Sequence, residues 1–423
     1  MYLGVIADDF TGGTDIAGFL VQNGLSVTQY IGVPEADCEE GGPDAAIISL
    51  KSRSCPVEEA IADSLAALEW LLAQGCKQIF FKYCSTFDST AKGNIGPVTD
   101  ALLKALDSDV TVMCPALPVN GRTVYKGYLF VGDVLLNESG MRHHPVTPML
   151  DANLMRLTEM QSKGRAANIP VTTMDQGAAA IRAAIEQLVK EGFTYVVPDS
   201  LTNQNLIDLG EALIDMPLVT GGSGLGMGLA RAIVAKHGLK AEASMEAGSP
   251  PGGKCIILAG STSVMTNAQV ERYIGKAVSK KVDVGRCIED AAGYAGEVAD
   301  WLTLHEKDDN RLAPLVYATT NVEDLQGIQK NYGAEASGAA VEHFFSTLAK
   351  LLELANYDHF IVAGGETSGA VVKSLGVAAF HIGPQIAPGV PWVRAVDKPI
   401  SLALKSGNFG TEDFFLAAQE FFL

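Results

Sequence analysis

Cysteines are few and scattered: seven in 423 residues, at positions 38, 55, 76, 84, 114, 255 and 287, with no C-x-x-C pair. No histidine stands at a spacing suited to zinc. This pattern argues against a metal-thiolate site and for a reducing compartment. Long apolar runs are also missing, since none approaches the roughly 18 residues of a membrane span. The first residues lack the basic-then-apolar profile of a secretory signal, so a cytoplasmic protein is expected. Positive charge is short as well: 31 Lys and Arg stand against 49 Asp and Glu, for a net charge of −18. That deficit argues against nucleic acid or an anionic membrane as partner. An anionic substrate would have to be met by a local cluster of Lys, Arg and backbone N–H groups. No internal repeat stands out, and the oligomeric state is left open, a homo-oligomer included.

The chain does have apolar residues (48%), 44 glycines, and a length that favours two or three domains. Short apolar runs alternate with helical periods. Expected strands are 3–7, 27–31, 45–50, 78–83, 110–114, 170–174, 195–197 and 217–220, with helices such as 57–73 and 181–190 between them. This alternation predicts mainly parallel sheets. The stretch 122–131 interrupts it and reads as a β-ribbon. Between Leu239 and Gly253, small residues, glycines and tandem prolines read as a linker. Further strands are expected at 255–259, 315–318, 360–363, 378–382 and 401–405. The fold class is therefore two α/β domains, 1–240 and 254–423, joined by a linker at 241–253, with a cleft expected between them.

In the first half, three strand ends share one chemical theme. Leu3–Ala7 runs into Asp8 and Asp9, then into a helix ended by Gly24. Lys51, Ser52 and Arg53 follow the strand at 45–50. Lys82, Ser85, Thr86 and Asp88 follow the one at 78–81. Parallel strands would open all three loops on one edge of the sheet, where ligands collect in open α/β folds. Arg53 could grip a carboxylate through two hydrogen bonds, Lys82 could add a point charge, and Ser85 and Thr86 could meet hydroxyls. Asp8, Asp9 and Asp88 are the candidates for proton acceptance. Either aspartate of the 8–9 pair could instead cap the helix. Arg122 and Lys126 on the ribbon are further, weaker cationic candidates.

Three glycine-centred turns mark the second half, at 259–263, 363–369 and 405–410. Each follows a strand, and the first two lead into helices, so free N–H groups can face phosphate. Glu366 in the middle turn would hold Mg²⁺ or contact a ribose hydroxyl. Two glycine runs are discounted. That at 220–226 lacks dinucleotide spacing and an acidic strand end, and packing between helix and sheet is the better account. That at 251–254 precedes its strand. His143, His144, His359 and His381 read as structural.

The segments Ile6–Asp15, Lys82–Thr90, Cys114–Thr123 and Ala363–Gly369 together resemble the four-carbon acid sugar kinase family, and the similarity spans nearly the whole chain. The resemblance implies a sugar-acid-binding N-terminal domain and an ATP-binding C-terminal domain. It implies ATP contacts at Ser261, Gly364, Gly365, Glu366, Thr367 and Gly407. Phosphorylation of the terminal hydroxyl of a C4 acid, with Mg²⁺ beside ATP, is the activity it implies. The metal ligands and the identity of the acid stay open. Two other functions compete with this one: a nucleotide-linked sugar-acid dehydrogenase and a binding module without chemistry.

Overall fold

A computed structural model of the chain describes residues 1–35, 42–87, 90–143, 148–239, 246–305, 312–318, 330 and 332–422. It forms two compact units, Met1–Ser244 and Met245–Leu423. The strands of the first unit, in chain order, are β1 (Leu3–Ala7), β2 (Val27–Ile31), β3 (Ala45–Ser49), β4 (Gln78–Lys82), β5 (Thr111–Cys114), β6 (Arg122–Tyr125), β7 (Tyr128–Val131), β8 (Val134–Leu135), β9 (Ala166–Ile169), β10 (Tyr195–Pro198) and β11 (Leu218–Gly221). β6, β7 and β8 form a separate antiparallel ribbon. The others make a parallel sheet in the order β2-β3-β1-β4-β11-β5-β10-β9. Helices cover parallel strands on both faces, which is why β1, β3 and β4 are buried at every position.

Register places the chemistry. Ala7 pairs with Ser49 on one side and Lys82 on the other, and Lys82 pairs in turn with Gly221. The loops after β1, β3, β4 and β11 therefore leave the sheet side by side.

The expected strand 170–174 is not a strand. β9 ends at Ile169, Pro170 stands at the N-cap, and Val171–Met174 is a helical turn. Proline has no N–H to give a ladder and its φ suits a helix start. The backbone N–H of Val171 is met by buried Asp199 at 3.0 Å.

The glycines at 224, 226 and 228 lie inside the helix Ser223–His237 and are all buried. A Cβ on Gly228 would stand 1.9 Å from the carbonyl oxygen of Leu206, and one on Gly226 would stand 2.8 Å from Ile16. They are contact points where the helices Asn203–Ala212 and Phe10–Gln22 press closely against this one.

The second unit adds β12 (Cys255–Ala259), β13 (Ser279–Lys281), β14 (Leu315–Tyr317), β15 (His359–Ala363), β16 (Ala379–Ala387), β17 (Val390–Ala395) and β18 (Ser401–Lys405), ordered β13-β14-β12-β15-β18-β17-β16. The first five are parallel, whereas β17 is antiparallel to both neighbours. Trp392, fully buried on β17, donates its indole N–H to the Ala418 carbonyl at 3.0 Å and so ties the chain's end to the core. At the chemical edge, Ala259 pairs with Ala363, and Ala363 with Lys405. Among the described residues no helix is long and apolar enough to cross a membrane.

Candidate active site

Asp8 and Asp9 diverge at the end of β1. Asp8 is buried, and Arg53 forks onto it: Nε donates to one carboxylate oxygen at 2.9 Å and Nη2 to the other at 2.8 Å. The Asp8 carbonyl also accepts the backbone N–H groups of Ser52 and Arg53, which locks the loops after β1 and β3 together. Asp9 is the helix N-cap, accepting the Gly12 N–H at 2.7 Å, while its other oxygen lies 2.9 Å from Arg53 Nη1. Its side chain is about a third exposed, against 5% for Asp8. Burial pushes the Asp8 carboxyl up and Arg53 opposes the shift. Burial also disfavours the Arg53 charge, but Asp8 and then Asp9 outweigh it and raise its pKa.

Arg53 therefore commits two of its five N–H groups to Asp8 and holds Nη1 in an ion pair with Asp9, and its Nε edge is not open to a ligand carboxylate. Lys82 is buried at the start of the helix Phe10–Gln22, where Nζ donates to the Tyr83 carbonyl at 2.8 Å. Ser85 is half-buried; Thr86 is buried with its hydroxyl 3.0 Å from Cys84 Sγ. Arg122 donates back into its own turn, to the Asn120 carbonyl. Asp88 and His144 lie outside the described residues.

Three further residues, Asp15, Ser223 and Asn94, join this edge without having been singled out in the sequence. Asp15 accepts from Ser223 Oγ, and its carboxyl is pushed up by burial against the pull of Lys82. Asn94 donates to the carbonyls of Ser52 and Cys55 at 2.8 and 2.9 Å. Ser52 lines a small cavity with Asp8, Arg53, Cys84 and Asn94, and its buried hydroxyl has no partner among the described residues. The contact of β11 with β4 and the packing of the helix Ser223–His237 on Phe10–Gln22 bring Ser223 here, and no local motif announces it.

The glycine turns of the second unit converge at the ends of β12, β15 and β18. Gly364 has φ +130°, in the region that favours glycine, and a Cβ there would stand 3.2 Å from the Ser261 nitrogen. A Cβ on Gly407 would stand 2.4 Å from Ser261 Oγ, and one on Gly260 2.1 Å from Thr367 Oγ1. Gly365 faces open space. Thr367 and Ser368 are buried in the first turn of the helix Gly365–Ser374, and Ser368 Oγ has no partner among the described residues. A helix N-terminus, small side chains and an orphaned hydroxyl are a donor set that fits phosphate oxygens. Glu366 is exposed beside them; burial and then Glu366 push the Glu342 carboxyl up. No group of three or more His, Cys, Asp or Glu able to hold a metal occurs among the described residues. A Mg²⁺ ion bound mainly by phosphate and water needs no such group.

Two family models match the chain: a sugar-binding N-terminal domain over residues 3–229 and a nucleotide-binding C-terminal domain over 256–415. The chain is 58% identical over 423 residues to a 3-oxo-tetronate kinase of Pectobacterium atrosepticum, covering 99% of each. The chain belongs to the four-carbon acid sugar kinase family. A crystal structure from Salmonella typhimurium LT2, provisionally named a tRNA synthase, superposes with a TM-score of 0.94 at 55% identity over all of both chains. A curated relative from the same organism, 57% identical over 99% of each chain, is a 3-oxo-tetronate kinase. Membership accounts for both edges: the aspartate–arginine cluster lies within the sugar-binding match, and the glycine turns lie within the nucleotide-binding match.

Proposed function

We propose that this chain transfers the γ-phosphoryl group of ATP to the C4 hydroxyl of 3-oxo-tetronate. The observation that supports this reading is the presence, on one chain, of two strand-end clusters of opposite character. One is an acidic and guanidinium cluster within the sugar-binding match; the other is a set of glycine turns within the nucleotide-binding match. Relatives that cover nearly the whole chain are 3-oxo-tetronate kinases.

ATP, when bound with Mg²⁺, supplies the electrophilic phosphorus, and phosphoryl transfer then asks the protein chiefly for positioning and charge neutralisation. Asp9 is the carboxylate a small hydroxy acid reaches, so it orients the substrate hydroxyl and takes its proton. Asp8 holds Arg53, and the N–H groups of Arg53 not bonded to Asp8 meet the acid end together with the Ser52 hydroxyl. Lys82 and Asp15 support this cluster from below. Asp88, Ser85, Thr86 and Arg122 stay substrate-side candidates. Ser261, Gly364, Gly365, Thr367 and Gly407 form the phosphate cradle, and Glu366 faces the ion or the ribose. The reaction belongs in the cytoplasm, where thiols such as Cys55, Cys114 and Cys255 persist.

A coupled ADP-release assay with 3-oxo-tetronate, threonate and erythronate tests the proposal. The expected result is Mg²⁺-dependent turnover with 3-oxo-tetronate and an O4-phosphorylated product by phosphorus NMR. Faster turnover with threonate or erythronate would reassign the acid. Equal ATP hydrolysis with and without any acid would overturn the kinase reading.

A further inference from the structure

Lys405, the last residue of β18, is 1% exposed and has no carboxylate partner among the described residues. Burying an ammonium is unfavourable unless it is paired or hydrogen-bonded. Its Nζ donates to Thr266 Oγ1 at 3.0 Å and to the Gly407 carbonyl at 2.9 Å, which accounts for two of its three N–H groups. Thr266 Oγ1 donates to the same Gly407 carbonyl at 2.8 Å and accepts from Ser263 Oγ at 3.1 Å. The Lys405 carbonyl accepts the Gly364 N–H at 2.9 Å. Lys405 thus touches the turn after β18 and the helix Val264–Tyr273 that follows the turn after β12 directly, and the turn after β15 through its backbone. Burial lowers its pKa to about 8. A positive charge left without a counter-ion, at the meeting point of turns shaped for an anion, is incomplete until an anion arrives.

We infer that Lys405 is an electrostatic positioning residue for nucleotide phosphate: from beneath Gly407 its buried ammonium supplies positive charge that the polyphosphate balances. This inference rests on the reading of the second unit as the ATP site. It goes further in assigning a cation, and a dependence on phosphate number, to the strand-end residue that opens the turn at 405–410. An electrostatic role discriminates among ligands by their charge, whereas a role in shaping the turn affects every adenine ligand alike.

The experiment measures ATP, ADP and adenosine affinity by calorimetry for the full chain, for Lys405→Met and Lys405→Gln, and for Thr266→Val, which keeps the charge. Loss of a hydrogen bond or close contact to a charged group corresponds to roughly 10- to 100-fold in affinity. That loss is expected for ATP and ADP in both Lys405 variants, with adenosine within about twofold of wild type, a margin far below one such contact. Thr266→Val is expected to keep the wild-type ratio of ATP to adenosine affinity. Failure of the wild type to bind ATP would overturn the nucleotide reading itself. With wild-type binding intact, unchanged affinities in Lys405→Met or Lys405→Gln, or equal losses for all three ligands, would overturn only the role of Lys405. The same ratio change in Thr266→Val would assign the effect to turn shape and also overturn it. If neither Lys405 variant folds, Lys405 is a core support and the inference falls.

Discussion

Asp9 caps a helix, and one substitution can separate that from the proton acceptance proposed for it. Asparagine caps helices about as well as aspartate, because its amide oxygen still accepts the Gly12 N–H, but it accepts no proton. Asp9→Asn is therefore expected to leave thermal stability within about 0.5 kcal/mol and ATP affinity unchanged while lowering kcat by about 100-fold or more. A kcat within twofold of wild type would return Asp9 to capping alone. Arg53 behaves differently because Asp8 is buried beneath it. Removing one partner of a buried pair leaves an uncompensated charge, so Arg53→Ala is expected to cost about 3 kcal/mol of stability besides weakening sugar-acid binding. Adding Asp8→Asn should recover part of that loss in denaturant titrations, and strict additivity would deny the pairing. Lys405 adds a pH dependence. Its folded pKa of about 8 lies below the usual 10.5, so the unfolded chain binds more protons between those values and stability rises with pH across that window. The penalty is complete below about pH 8. Lys405→Met should lose this rise, which urea titrations from pH 7.5 to 10 would detect by comparison with wild type.

Among the elements, glycines that look alike in the sequence have separate physical reasons. Gly228→Ala would force the helix Ser223–His237 away from the Leu206 carbonyl, and overpacking of this kind costs about 1–3 kcal/mol. Its kcat at a temperature where the variant is folded should stay near wild type. Gly365→Ala meets no protein atom within 4 Å, so stability should change little. Any loss of ATP affinity there would report a ligand passing over that Cα. Equal destabilisation by both substitutions would remove this distinction between packing and ligand-facing glycines. The turns of the second unit draw their positions from β12, β15 and β18, whose register aligns Ala259, Ala363 and Lys405 in one row. Rigid strand ends are a better support for phosphate donors than a free loop, because the donors are already aimed before the ligand binds.

For the whole molecule, two compact units, each with its own candidate ligand edge, predict separate protection. A ligand stabilises what it binds by mass action. Hydrogen exchange should slow around residues 7–13 and 50–55 with sugar acid, and around 259–263, 364–368 and 405–407 with ATP. Sugar acid protecting the glycine turns in the absence of nucleotide would place its site elsewhere. Much of this arrangement is legible along the chain. Parallel strands buried on both faces must be short apolar runs, and loops at their carboxyl ends must carry whatever is polar, so Asp8, Asp9, Arg53 and the three glycine turns stand out. The run 170–174 misleads because an apolar stretch opened by proline serves a helical turn as well as a strand, and only Asp199, waiting for the Val171 N–H, decides between them.

The sequence by itself determined the alternation of strand and helix, the acidic pair after β1 and the glycine turns after β12, β15 and β18, because each depends on residues within a few positions of one another. Tertiary structure alone decided that Arg53 faces Asp8 across 45 positions, that Ser223 meets Asp15 across 208, and that Lys405 lies buried against Thr266, 139 positions away. The physical reason is range. Hydrophobic periodicity and turn chemistry are local, whereas a hydrogen bond to a buried charge is set by strand order and register, and those follow from how the whole sheet packs.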